Sequence, residues 1–159
     1  MNRFWDIESY DYLFCVGFMD ENEHLDMFYL CDEKDAPSVE QACKDSGYDY
    51  KCYDLKENGQ LLKEFMANPI PSNGEATLLS DFLGTTNEVV KPKEDWYFAY
   101  NCQNYDIPMI DYVLNSMVSG KVRVSTESLR RYSNKLIESQ NKGMNITPYL
   151  KYGNHVDVA

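Results

Sequence analysis

The sequence predicts an α/β fold in which helices flank a mixed sheet. Three β-rich runs with short connections come first, at 3–9, 12–19 and 25–31, and they predict an antiparallel meander. Further along, a short apolar strand at 96–100 is followed by an amphipathic helix at 107–117, an order typical of the parallel part of such a sheet. The chain has 159 residues, which is enough for one domain with its own core.

The other elements follow from periodicity and from capping residues. Ser38 is a plausible N-cap and Gly47 a stop for a helix at 40–46. The stretch from Pro69 to Gly74 predicts a surface loop rather than a domain boundary, because neither side is long enough to fold alone. The remaining predicted elements are a strand at 48–55, helices at 58–66, 75–83 and 125–140, an extended segment at 122–124, and a strand that begins at His155.

Composition excludes several classes of protein. The 43% hydrophobic content argues against disorder, and no apolar run reaches the length of a membrane span. The five cysteines are odd in number and include no C-x-x-C pair, which indicates reduced thiols in a cytoplasmic protein. The net charge of −11 lowers the expectation of non-specific nucleic-acid binding. Residues 1–60 carry 15 acidic and 5 basic side chains, whereas residues 121–159 carry 3 and 7.

The first strand carries two carboxylates, Asp6 and Glu8, with Ile7 between them. Side chains alternate along a strand, so both carboxylates point to one face and Ile7 points to the other. Two like charges on a largely apolar strand repel each other, and a divalent cation such as Mg²⁺ would compensate them. The alternative is that both acids are simply solvated at an exposed strand.

A third carboxylate, Asp106, lies in the connection between the predicted strand at 96–100 and the predicted helix at 107–117. Loops at the ends of strands converge on a common site in α/β folds, so we expect Asp106 to approach Asp6 and Glu8. Three carboxylates without a histidine cluster favour Mg²⁺ or Mn²⁺ over zinc.

These residues resemble two motifs of the DnaQ-like, or DEDD, 3′-5′ exonucleases, which have the ribonuclease H fold. Asp6-Ile-Glu8-Ser resembles the first motif, D-x-E-[ST]. The segment from Asn101 through Tyr105 to Asp106 resembles the second motif, N-x2-3-[FY]-D. The resemblance implies a metal-dependent 3′-5′ exonuclease that hydrolyses phosphodiester bonds, with single-stranded DNA as the expected substrate and two Mg²⁺ or Mn²⁺ ions as cofactors.

The resemblance also implies roles for individual residues. Asp6 would bridge both ions, Glu8 would hold the ion that activates water, and Asp106 would act on the second ion. Asn101 and Tyr105 would shape the loop, and Asn101 would contact the substrate end.

Further substrate contacts are predicted around this site. Tyr10 and Tyr12 are candidates for stacking on the terminal base, which follows from the resemblance. Arg130 and Arg131, together with Lys135, form a basic helix face and are the best candidates for phosphate contact on an acidic chain, although such a face is more often only solvated.

The third motif of these exonucleases, Y-x3-D or H-x4-D on a late helix, has no convincing match. Asp157 is the only aspartate near the end of the chain, and Tyr152 and His155 precede it at the wrong spacings. His155 and Asp157 are therefore possible stand-ins. We expect residues 1–159 to be a single exonuclease-like domain without its C-terminal helix, as a fragment or one piece of a split enzyme, with weak activity alone. The less favoured alternative is an intact chain that has lost the motif.

Two functions remain open from the sequence. In the first, the chain is a nuclease that acts on a nucleic-acid 3′ end, free-standing or with the remainder of a polymerase as a partner in proofreading, without a membrane. In the second, it is a non-catalytic module of the same fold that binds a protein partner through its acidic face.

Overall fold

The computed structural model contains one six-stranded mixed sheet with helices on both faces. It describes residues 1–66, 96–100, 102–118, 124–144 and 155–158. The loop predicted at 69–74 and the helix predicted at 75–83 lie outside these ranges, and of the segment at 122–124 only Val124 is described.

The order of elements agrees with the predicted α/β fold. The elements are β1 (Asn2–Ser9), β2 (Leu13–Asp20), β3 (His24–Cys31), α1 (Ala36–Asp45), β4 (Asp49–Asp54), α2 (Leu55–Met66), β5 (Trp96–Ala99), α3 (Asp106–Val118), α4 (Thr126–Asn141) and β6 (His155–Asp157). The strand order is β4-β3-β2-β1-β5-β6. Strands β1, β2 and β3 form the predicted antiparallel meander, while β4 pairs with β3, β5 with β1 and β6 with β5 in parallel.

The turn between β2 and β3 is organised by Asp20. Its Oδ1 atom accepts hydrogen bonds from the backbone N–H of Asn22 at 2.8 Å and of His24 at 3.0 Å. Glu23 has a φ of 62°, in the left-handed region, and its N–H donates to the Asp20 carbonyl at 3.1 Å. The short acidic connection between the two strands therefore closes the hairpin through hydrogen bonds to its own backbone.

His24 is more engaged than a histidine in an acidic turn would suggest. Its Nδ1 lies 2.8 Å from Asp49 Oδ2 on β4, and its Nε2 lies 3.5 Å from Asp26 Oδ1. Asp26 is buried and also accepts a hydrogen bond from the Tyr53 hydroxyl at 3.1 Å. The hydrogen bond to Asp49 is the largest of the effects that raise the pKa of His24. This network joins β3 to the edge strand β4.

Two helices begin earlier than the sequence predicts. Helix α1 starts at Ala36 rather than Glu40, with Asp35 and not Ser38 as its N-cap, because Pro37 fits the first helical turn. Gly47, with a φ of 80°, follows its C-cap as predicted.

Helix α2 starts directly after β4 because Asp54 caps it. Asp54 Oδ1 accepts the backbone N–H of Lys56 at 2.9 Å. The predicted start, Asn58, is instead a kink inside the helix, with φ −117° and ψ 24°, and its side chain donates to the Asp54 carbonyl at 2.9 Å. The spacing of apolar residues in the sequence therefore predicted only the regular part of α2, which follows the kink.

Helices α2, α3 and α4 cover one face of the sheet. Strand β2 contributes the fully buried Phe14, Val16 and Phe18 to this face, and Phe65 of α2 packs on Phe18 with ring centroids 5.3 Å apart. The apolar sides of α3 and α4 complete the core, with Met109, Ile110, Val113, Leu114, Leu129 and Leu136 among the buried residues. The longest described helix, α4, has 16 residues, and no helix in the described ranges has the length and hydropathy of a membrane span.

On the other face, α1 covers only β3 and β4. Cys43 of α1 is buried there and is hydrogen-bonded to Cys52 of β4. Burial is the largest effect on Cys52 and raises the pKa of its thiol to about 12. All five cysteines are free thiols, as predicted. Over β1 and β2, no described helix covers this face.

His155 of β6 belongs to the core. Its ring stacks on Tyr97 at 4.9 Å between centroids and meets Trp5 edge-on at 5.7 Å. Its Nε2 donates to the carbonyl of Met66, the last residue of α2, at 3.3 Å. Burial lowers the pKa of His155 to about 4.

This burial predicts a pH-dependent contribution to stability. Because the folded-state pKa of His155 lies below the unfolded value of 6.5, the unfolded state binds more protons between pH 6.5 and 4. As pH falls through that window, the wild type should lose about 3 kcal/mol of unfolding free energy relative to His155→Phe. Urea unfolding of both proteins at pH 4, 5.5 and 7.5 measures the difference, and a constant difference across these pH values would contradict the assignment.

Candidate functional site

The alternation of β1 separates its apolar and acidic residues as predicted. Trp5 and Ile7 are 4% and 6% exposed in the core under the helices, whereas Asp6 and Glu8 are exposed on the opposite face. Beyond Phe4, β1 no longer pairs with β5, so its second half borders the loop that leaves β5.

The loop that follows β5 ends at Asp106. β5 pairs in parallel with β1, from Asn2–Trp96 to Phe4–Phe98, and the chain then turns into α3, of which Asp106 is the first residue. The side chain of Asp106 is 5% exposed. A carboxylate in the first turn of a helix is favoured by the helix dipole.

The carboxylates of this region interact electrostatically. The pKa of Asp106 is raised to about 7, first by burial and then by the neighbouring carboxylates of Asp6, Asp157 and Glu8, in that order of effect. Glu8 and Asp106 also raise the pKa of Tyr105, for which burial is the largest cause. The three carboxylates singled out from the sequence therefore share one electrostatic environment.

Asp157, predicted as a possible stand-in for the missing motif, lies at the same end of the sheet. Its Oδ2 accepts a hydrogen bond from the backbone N–H of Gln103 at 3.3 Å, which ties β6 to the loop before Asp106. Cys102, fully buried in that loop, has its pKa raised to about 11, mainly by burial and then by Asp157 and Asp106. His155, the other proposed stand-in, faces the core instead.

The donor chemistry of this region fits a hard divalent cation, but the side chains do not form a closed cage. Four carboxylates contribute to the local field, and carboxylate oxygens are the ligands that Mg²⁺ and Mn²⁺ prefer. Within the described ranges, no group of three or more His, Cys, Asp or Glu side chains is close enough to hold a metal ion. A site built from these residues requires the carboxylates to approach one another when an ion binds.

Tyr105 anchors the loop to α4. Its hydroxyl lies 2.7 Å from Ser133 Oγ, and the side chain of Gln140 donates to the carbonyl of Asn104. Tyr105 is thus positioned by a helix that the motif does not include. Asn101, the predicted substrate contact, lies outside the described residues.

The two predicted stacking residues lie beside Glu8. Tyr10 and Tyr12 are 48% and 61% exposed, and their rings stack with centroids 6.1 Å apart. The hydroxyl of Tyr10 is hydrogen-bonded to Glu8, which is the largest effect raising the pKa of Tyr10. The pair presents an aromatic surface at the turn between β1 and β2.

The predicted basic face of α4 is already partly neutralised. Arg130 Nη1 lies 2.9 Å from Asp11 Oδ1, and Arg131 forms an ion pair with Glu127 one helical turn earlier. Asp11 was not predicted as a partner, and nothing in the sequence relates it to a helix more than 100 residues away. Because Asp11 lies between Tyr10 and Tyr12 in the sequence, this contact ties Arg130 to the segment that carries the tyrosine pair. Lys135 is exposed.

Comparison of the chain with family models, with curated proteins and with solved structures found no match in any of the three. The resemblance to the exonucleases therefore rests on the two sequence motifs alone.

The raised pKa of Asp106 predicts a cost of ionisation in the folded protein. The contribution of Asp106 to stability is greatest below its unfolded pKa of 3.8 and is lost as pH rises through about 7. Asp106→Asn should therefore be about 2–4 kcal/mol more stable than the wild type at pH 8 and nearly equal to it at pH 3.5. Urea unfolding at both pH values tests this.

Asp32→Asn is the matched control, because Asp32 is exposed and its substitution should change stability by no more than about 0.5 kcal/mol at either pH. An Asp106→Asn protein less stable than the wild type at pH 8 would show that the ionised carboxylate is stabilised rather than penalised.

Proposed function

We propose that the chain is a metal-dependent 3′-5′ exonuclease domain of ribonuclease H type, acting on nucleic acid, with single-stranded DNA as the expected substrate. The observation that carries the proposal is the parallel pairing of β5 with β1. It brings the loop ending in Asp106 to the strand that carries Asp6 and Glu8. The antiparallel β1-β2-β3 meander with parallel strands beyond β1 supports the proposed fold type.

In this proposal, Asp6, Glu8 and Asp106 would hold two Mg²⁺ or Mn²⁺ ions, and Asp157 is a further carboxylate that acts electrostatically on Asp106. When bound, the ions would polarise the phosphoryl oxygens and supply a water nucleophile. The stacked Tyr10 and Tyr12 would receive a terminal base, since aromatic stacking tolerates any base.

Arg130 is tied through its contact with Asp11 to the segment that carries this aromatic surface. Because Asp11 already pairs with it in a solvent-exposed contact, a phosphate would have to displace a weak ion pair rather than find a free cation. This predicts a modest affinity for nucleic acid, in keeping with the acidic chain. A polymerase partner that supplies more basic surface would be consistent with a proofreading role.

Metal binding is the first test. Mg²⁺ or Mn²⁺ should raise the melting temperature by mass action, and Asp6→Ala should abolish the rise. Asp32→Ala, which also removes one exposed carboxylate but lies at the end of β3, should respond like the wild type. Differential scanning fluorimetry at pH 8 with increasing metal provides the measurement. An equal rise in all three proteins would indicate unspecific binding to an acidic surface.

Nuclease activity is the second test. Hydrolysis of single-stranded DNA labelled at its 5′ end should give a ladder shortened from the 3′ end in Mn²⁺, and Glu8→Gln should slow it about 100-fold or more. Glu33→Gln, at another exposed position, is the control. If Mn²⁺ stabilises the protein through Asp6 but no DNA or RNA is shortened, the metal site stands and the exonuclease assignment falls.

The second function, a protein-binding module without catalysis, makes the opposite prediction for both assays. It is favoured if metal stabilisation does not depend on Asp6 and no nucleic acid is cleaved.

A further inference from the structure

An open groove crosses the face of the sheet that α2, α3 and α4 leave uncovered. It consists of two adjoining cavities of about 390 and 350 Å³, both lined by Cys15, Leu25 and Met27. The larger cavity extends under α1, and the smaller extends over β1 to Asp6 and Glu8. We call the two cavities together the sheet groove.

The sheet groove is apolar along its length. Val39 and Ala42 of α1 line one wall, and Phe4 and Met19 lie at the opposite end. Phe4 is 59% exposed, although its ring lies 5.6 Å from that of Phe98. Gly17, at the centre of β2, gives the floor no side chain at all. A contiguous apolar depression of this kind marks an interaction site more often than a free surface.

The charged residues that line the sheet groove are all acidic. Its charged lining residues are Asp6, Glu8 and Asp35, and no lysine, arginine or histidine is among the described residues that line either cavity. They belong to the segment 1–60, in which acidic side chains outnumber basic ones by 15 to 5. An apolar floor between carboxylates matches a ligand with apolar side chains flanked by cations.

We propose that the sheet groove binds an amphipathic helix with lysine or arginine flanks from a partner protein. Apolar side chains at i, i+3 or i+4, and i+7 would enter the two cavities in succession, and the flanking cations would meet Asp35 at one end and Glu8 at the other. When no metal ion is bound, a nucleic acid is disfavoured as the occupant of this groove because its phosphates would face only carboxylates. The proposal does not depend on the exonuclease function, although an occupant would cover the exposed side of Asp6 and Glu8.

The test uses the whole chain and three synthetic helical peptides, in buffer with EDTA so that metal binding plays no part. The first peptide has leucines on one face and lysines on the other; the second has the same composition in scrambled order; the third has glutamate in place of lysine. Fluorescence anisotropy should show the first peptide binding at least about tenfold more tightly than either of the others.

Paired substitutions locate the binding. Phe4→Ser with Met19→Gln should weaken binding of the first peptide about tenfold or more, without changing the net charge. The matched control is Ile137→Ser with Met144→Gln, at positions 46% and 54% exposed on and just after α4, and it should bind like the wild type. Equal binding by the groove variant and the wild type would overturn the proposal.

Wild-type protein gives a readout that does not depend on a variant folding. The bound peptide should slow alkylation of Cys15, the half-buried thiol shared by both cavities, and leave the rate at Cys52 unchanged. Unchanged alkylation of Cys15 would also overturn the proposal. Light scattering tests whether a second copy of the chain occupies the groove instead. A dimer that is lost in the groove variant would assign the groove to self-association and overturn the proposal of a helix from a partner protein.

Discussion

The alternation of side chains along β1 is the constraint on which the rest of the structure depends. One strand supplies Trp5 and Ile7 to the core and holds Asp6 and Glu8 outside it, so the carboxylates cannot turn away from the open face without exposing the core residues. Pairing with β2 along nearly the whole strand fixes this register. The acidic pair is therefore held in place by the apolar burial and the backbone hydrogen bonds of its own strand.

Two titratable residues, Asp106 at the start of α3 and His155 on β6, are largely removed from solvent. Burial favours the neutral forms of both Asp106 and His155, which displaces their pKa values in opposite directions. The neutral His155 ring packs against the rings of Trp5 and Tyr97 and donates one hydrogen bond to the backbone carbonyl of Met66. Asp106 faces other carboxylates, so an added cation would relieve its repulsion, whereas His155 needs none. This contrast separates the functional candidate from the structural residue.

The sequence patterns predicted the elements whose signals are local. The alternation of β1 and the start of α4, which the structure shows to be set by a capping box of Ser125 with Ser128, both depend on residues within a few positions. The starts of α1 and α2 were not predicted because the actual caps, Asp35 and Asp54, compete with the equally plausible Ser38 and Asn58 further along. Periodicity alone cannot decide between such neighbours.

The candidate site was predictable only where a motif specified it. Asp6, Glu8 and Asp106 follow from residue type and order, but the contact of Asp11 with Arg130 depends on how α4 packs near the turn after β1. The bond from Gln103 to Asp157 likewise depends on the position of β6 at the sheet edge. Such pairs carry no signal in a single sequence, since neither partner has a characteristic spacing.

Gly17 lies on the open face of the sheet at a position where a side chain could be added without disturbing the core. A Cβ atom at this position would lie 3.3 Å from Met27 Cε and 3.4 Å from Leu25 Cδ1, both at the ends of flexible side chains. The sheet could accept alanine there with a small shift, and a longer side chain would stand in the groove rather than in the core. The depth of the groove can therefore change over evolution by one substitution, while the scaffold beneath it stays the same. Related chains with one backbone could in this way acquire different binding preferences.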